Sequence, residues 1–161
     1  MIGGLIALAL AGASPGGPTA ASVPQSREVR KMDEGAEKIA VVKRMIAAWE
    51  ARDGDAIAEL FTEDGVLHSM MIDPIVGREA IRPRMKFLVD NASHMKLNVR
   101  TWAVSGDTVF IERTDEFTFK GHKGKVPVVG VLVIAGDKVK EWREYYDRAE
   151  LLEAMGVKQD F

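Results

Sequence analysis

From residue 34 onward apolar side chains recur at three- and four-residue spacing. Ile39, Val42, Met45, Ile46 and Trp49 fall on one stripe, which predicts an amphipathic helix ending at Asp53 and Gly54. Asp55 is expected to cap a short second helix with Ile57, Leu60 and Phe61 inward. Glu63, Asp64 and Gly65 then read as a turn into a strand over residues 66–71. A loop containing Asp73, Pro74 and Gly77 leads into a third helix that runs to about Val89, with Ile81, Met85, Leu88 and Val89 inward. Pro83 should distort its first turns, because proline removes a donor and clashes one turn back.

Beyond His94 the period changes to two. Met95, Leu97, Val99 and Thr101 alternate with Lys96, Asn98 and Arg100. Short turns at residues 105–107, 121–124 and 135–137 then separate strands over 109–119, 126–134 and 138–147. Residues 148–155, with Leu151, Leu152 and Met155, read as a closing helix. The predicted class is α+β, a curved antiparallel sheet or cone packed on one face by three helices, with a pocket between the layers.

At 161 residues the chain fits one domain. The domain is expected over residues 33–161, with residues 1–32 as a disordered or signal-like tail. Residues 1–26 carry no charge, and the apolar run over 1–13 resembles the later part of an export signal without its basic start. That run is shorter than the roughly 20 residues that span a bilayer. It reads as a weak or truncated signal, as an over-extended start before a working chain from Met32, or as a tail without function. The cytoplasm is the expected location, or the periplasm should residues 1–26 act as a signal.

Lys and Arg number 22 against 24 Asp and Glu, for a net charge of −2. The two signs are interleaved without a basic stripe, which argues against a nucleic-acid partner, and no membrane partner is expected. The absence of Cys removes disulfides, thiolate metal sites and a Cys nucleophile. His68, His94 and His122 lack the spacing of a metal site, so no metal is expected.

Charge reappears where the alternation calls for apolar groups. Along residues 109–119, Val109, Ile111, Arg113, Asp115, Phe117 and Phe119 share one face. Along 138–147, Trp142, Glu144 and Tyr146 do the same. Ions on the core side of a sheet are costly unless they satisfy one another. An Arg between two carboxylates that share one proton is neutral, and it is also a general acid and a general base held close together. The plainer alternative is an ion cluster that fixes strand register. Phe117, Leu132, Trp142 and Tyr146 read as pocket lining or core, and Met70 and Met85 as core that would also suit an apolar ligand. His68 reads as a contact for water or substrate, or as a residue of the pocket rim. Arg143 and Tyr145 face the other way, toward solvent or a second copy in a homodimer.

The order of elements is that of the nuclear-transport-factor-2-like (SnoaL-like) folds, which include ketosteroid isomerases and polyketide cyclases. Within that group ERTDEF at residues 112–117 and WREYYD at 142–147 resemble the limonene-1,2-epoxide hydrolase family. Its members carry Arg-x-Asp on one strand and Trp-Arg-Asp-Tyr on the last, and the resemblance covers roughly residues 37–155. It implies that Arg113 is the bridging arginine, Asp115 the general acid and Glu144 the base that activates water. Glu144 is one methylene longer than the family's Asp. The Tyr and Asn with which the family holds its water are expected at His68 and Met70. The implied activity is cofactor-independent hydrolysis of a small apolar epoxide to a vicinal diol. An isomerase or cyclase that moves a proton beside a carbonyl, and a binding module for an apolar ligand, are the competing expectations.

Overall fold

The computed structural model describes residues 23–158, with side chains described from Val29 onward. Most of the tail, up to residue 22, therefore lies outside the described residues. The elements run α1 (Val23–Glu50), α2 (Gly54–Glu59), β1 (Phe61–Ser69), β2 (Ile75–Val76), α3 (Arg78–Asp90), β3 (Ala92–Ser105), β4 (Thr108–Phe119), β5 (His122–Ala135), β6 (Lys138–Tyr145) and α4 (Arg148–Ala154). Among the described residues no helix is long and apolar enough to cross a membrane.

The expected meander forms one continuous ladder. β3, β4, β5 and β6 pair antiparallel in sequence order. β1 closes the curved sheet against β6, giving the order β2-β1-β6-β5-β4-β3. That pairing is parallel, so the sheet is mixed.

Several boundaries differ from the sequence reading. α1 begins at Val23, eleven residues before the apolar stripe does (23 to 34), and its first described side chains, including Val29 and Met32, are exposed. Asp53, not Asp55, caps α2: its carboxylate accepts from the Ala56 N–H at 2.9 Å. Asp55 sits in the first turn of α2 and pairs with Arg82 and Lys86 of α3. Phe61 opens β1 instead of ending α2, and residues 62–65 are bulged strand. β1 takes five steps from Phe61 to Val66 where β6 takes two from Val139 to Glu141. α3 continues through Pro83 to Asp90. Arg82, one residue before it, ties that stretch to Asp55, Glu59 and Glu79.

Gly54 lets α2 and α3 meet, since a Cβ there would lie 2.9 Å from the backbone of Lys86. The main core joins Val42 and Met45 of α1, Ile57 of α2, Phe61 of β1, and Ile81 and Met85 of α3 to Ile111, Leu132 and Trp142 of the sheet. A smaller cluster joins Phe117, Phe119, Val126, Val128 and Met155. On β4 the first ends at Ile111 and the second begins at Phe117. Arg113 and Asp115 occupy the gap.

Candidate active site

A cavity of about 170 Å³ opens at that gap. Its floor is the inner face of the sheet, and α3 and α4 wall it with Met85, Leu88, Leu151 and Leu152. Arg113 is the one charged residue that is buried outright among the described residues, at 3 % exposure. Its Nε donates to Asp115 Oδ1 at 2.8 Å and its Nη2 to Asp115 Oδ2 at 3.0 Å. The same Nη2 donates to Glu144 Oε2 at 2.8 Å and Oε1 at 3.0 Å. Strand geometry makes this possible: Arg113 and Asp115 are two apart on one face, while Glu144 reaches in from β6 with only β5 between.

Burial works against the Arg113 cation, but the charges and hydrogen bonds of Glu144 and Asp115 outweigh it and raise its pKa. Burial pushes the Glu144 carboxyl above the ordinary carboxylate range. The charge and hydrogen bonds of Arg113 pull it back, and the charge of Asp115 adds to the rise. The Trp142 indole N–H approaches Glu144 closely enough to favour its charged form, yet falls short of hydrogen-bond geometry. Trp142 itself is fixed by Phe61 stacked at 6.4 Å, Trp49 edge-on at 6.4 Å, and the Arg113 guanidinium 5.6 Å from its ring centre.

Gly130 of β5 lies beneath the cluster, paired with Ile111 on one side and Glu144 on the other. A Cβ there would stand 2.7 Å from Arg113 Nη1 and 3.1 Å from Trp142 Nε1. Both nitrogens are buried without a hydrogen-bond partner among the described residues. The sequence reading did not single out this glycine; its position between two strands with inward charges was the available signal.

Of the residues expected at the site, Arg113, Asp115, Glu144, Met85, Phe117, Trp142 and Tyr146 all line the cavity. Leu132 does not; it is fully buried in the main core. His68 and Met70 are also absent from the lining, and Leu67 and Ser69 take the inward positions. The reason is register. Leu67 pairs with Trp142 and Ser69 with Glu144, both inward, whereas His68 pairs with the outward Arg143. The expected assignment is one residue out of phase. Ser69 Oγ and the Tyr146 hydroxyl share a hydrogen bond, and the Met70 N–H donates to the Glu144 carbonyl at 3.1 Å. Ser69 thus lies across from Glu144 in the sheet, and Tyr146, two residues beyond Glu144, lines the same cavity. Among the described residues no three His, Asp or Glu are grouped to hold a metal.

A curved sheet wrapped by helices around a cavity with a charged floor defines a nuclear-transport-factor-2-like α+β domain. Residues 42–142 match the model of the SnoaL-like domain, and the chain belongs to that family. Solved structures share the fold at low identity. A protein of Catenulispora acidiphila with a ketosteroid isomerase-like fold, in complex with trimethylamine, is 23 % identical, with TM-score 0.66 over 75 % of this chain and 95 % of that one. An epoxide hydrolase of M. tuberculosis described as LEH-like is 20 % identical, with TM-score 0.67 over 76 % and 91 %. A putative SnoaL-like polyketide cyclase from Jannaschia sp. CCS1 is 20 % identical, with TM-score 0.65 over 78 % and 95 %.

Proposed function

We propose that this protein is a cofactor-independent epoxide hydrolase of the limonene-1,2-epoxide hydrolase type. The observation that carries this reading is one buried guanidinium bonded to two carboxylates at the floor of a mainly apolar cavity. The LEH-like protein of M. tuberculosis supports it by fold. Glu144, ionised, takes a proton from water while the water oxygen forms a bond to a ring carbon. The carbon–oxygen bond of the epoxide breaks, and its oxygen takes the proton of Asp115. Proton return from Glu144 to Asp115 through solvent restores the starting state. Arg113 stays bonded to both carboxylates and holds them in place. In this reading Ser69 and Tyr146, whose hydroxyls bond to each other, hold the attacking water; the register of Ser69 with Glu144 supports it.

The decisive experiment incubates the protein with a panel of small epoxides and looks for diol. A single turnover in heavy-oxygen water then puts label into the diol; label in Glu144 or Asp115 instead would mean an ester intermediate.

A second reading is an isomerase or cyclase that shifts a proton beside a carbonyl, with one carboxylate as base and the other as neutral donor. It is favoured by Leu67, an apolar side chain lining the cavity next to Ser69, because such a reaction needs no stationed water. Isomerised enone without diol would select it. Phe110, Val129 and Tyr145 leave an apolar outer sheet face 39–43 % exposed, which suits a homodimer. Sedimentation measures this directly.

A further inference from the structure

The cavity has a second charged feature that the acid-base chemistry leaves unused. Arg84 of α3 and Arg148 at the start of α4 line it from the helical wall, opposite the sheet that carries the cluster. Arg113 is already bonded to both Asp115 and Glu144, so the charges of that cluster are met within it. The remaining charged groups lining the cavity, among the described residues, are then these two arginines and Asp73. The wall is cationic.

Burial disfavours the Arg84 cation, and the like charge of Arg148 adds to this against the favourable influence of Tyr146. Two guanidiniums near one another in an apolar wall repel more strongly than they would in water, and an anion between them reverses the sign of that interaction. Both arginines also interact within the chain. Such engagement does not exhaust a guanidinium, which has five N–H donors. Arg113 serves two carboxylates at once in this same cavity.

We propose that the substrate carries an anionic group, a carboxylate in the first instance, which Arg84 and Arg148 bind while its apolar body fills the cavity toward Asp115 and Glu144. The planar guanidinium fork matches a carboxylate through paired hydrogen bonds. The apolar lining from Leu88, Met95, Leu151 and Leu152 takes the hydrocarbon between the two polar ends. The site would therefore select epoxides of unsaturated acids over neutral terpenoid-like epoxides. For the reacting group, though not for the anion site, this rests on the hydrolase reading.

The test has a binding arm and a turnover arm. Trp49 and Trp142 both line the cavity, so their fluorescence reports occupancy. Decanoate should bind tighter than methyl decanoate by roughly tenfold or more, the worth of one charge-assisted hydrogen bond. Arg84→Gln and Arg148→Gln should each bring the acid-to-ester ratio toward one, and Arg84→Lys should keep part of it. Equal binding of acid and ester by the unaltered protein would overturn the proposal, as would a preference that survives both Gln substitutions. In the turnover arm, epoxidised undecenoic acid should exceed its methyl ester in kcat/KM by a similar factor, carried mainly by KM. Preferential decanoate binding with no epoxide turned over would leave the anion site standing and remove the hydrolase reading. Acid and ester epoxides hydrolysed equally well would do the reverse.

Discussion

Arg113 and Asp115 are two residues apart on one strand and still meet through a two-point fork, Nε to Oδ1 at 2.8 Å and Nη2 to Oδ2 at 3.0 Å. That fork uses the guanidinium edge and leaves Glu144 to share Nη2. Arg113→Lys keeps a positive charge but cannot make both contacts. It should abolish most turnover, and Arg113→Met should also destabilise the fold by about 3–5 kcal/mol, the usual consequence of leaving buried partners uncompensated. Urea denaturation beside diol assays separates the two effects.

Burial raises the Glu144 carboxyl, and this fixes the sign of two pH effects. In the proposed mechanism turnover needs Glu144 ionised, so the acidic limb of the rate profile should lie above the ordinary carboxylate range, and Glu144→Gln should be inactive at every pH. For stability, a raised folded pKa means that the folded state holds its proton more tightly. The contribution is full below the unfolded value of about 4.5 and is lost as pH rises through the folded one. Melting temperatures of wild type and Glu144→Gln should therefore diverge with rising pH, the wild type losing ground. Parallel curves would contradict the assignment.

Gly130→Ala adds a single methyl group within 2.7 Å of Arg113 Nη1 and 3.1 Å of Trp142 Nε1. Overpacking of this kind costs roughly 1–3 kcal/mol. Activity should fall far more than stability, because moving the guanidinium misaligns both carboxylates together. A variant with shifted melting temperature but near wild-type kcat would show that the glycine serves packing alone.

Ser69 and His68 are neighbours in sequence on opposite faces of β1, which makes them a matched pair of probes. Ser69→Ala should lower kcat on the order of tenfold to a hundredfold with little change in KM, the scale of misplacing a reacting group. His68→Ala should change either constant by no more than about twofold, as for an ordinary surface substitution. The opposite ranking would put the water on the other side of the strand.

The contrast between these two residues shows how much was legible in the sequence. Strands β4 and β6 alternate cleanly, so the inward placement of Arg113, Asp115 and Glu144 comes from counting by two. Strand β1 does not: Thr62, Glu63, Asp64 and Gly65 carry every mark of a turn, and the bulge that absorbs them shifts the phase of the strand from Val66 to Ser69. Its parallel pairing with β6 is equally silent, since nothing local to either segment encodes a partner so distant in the chain. β2 has two residues, too few for any period. The polar first turns of α1 show no apolar stripe, so periodicity could not place the start of the helix at Val23.

The pairing of β1 with β6 also sets a clock. Ser69 and Glu144 are adjacent in the sheet but 75 positions apart in the chain, from 69 to 144. At about 5–20 residues per second on the ribosome, β1 waits roughly 4–15 s for the strand that completes it. Until then it is an uncovered edge ending beside Met70 and Met71. A chain that has made β1 but not yet β6 therefore offers that edge to wrong strand partners.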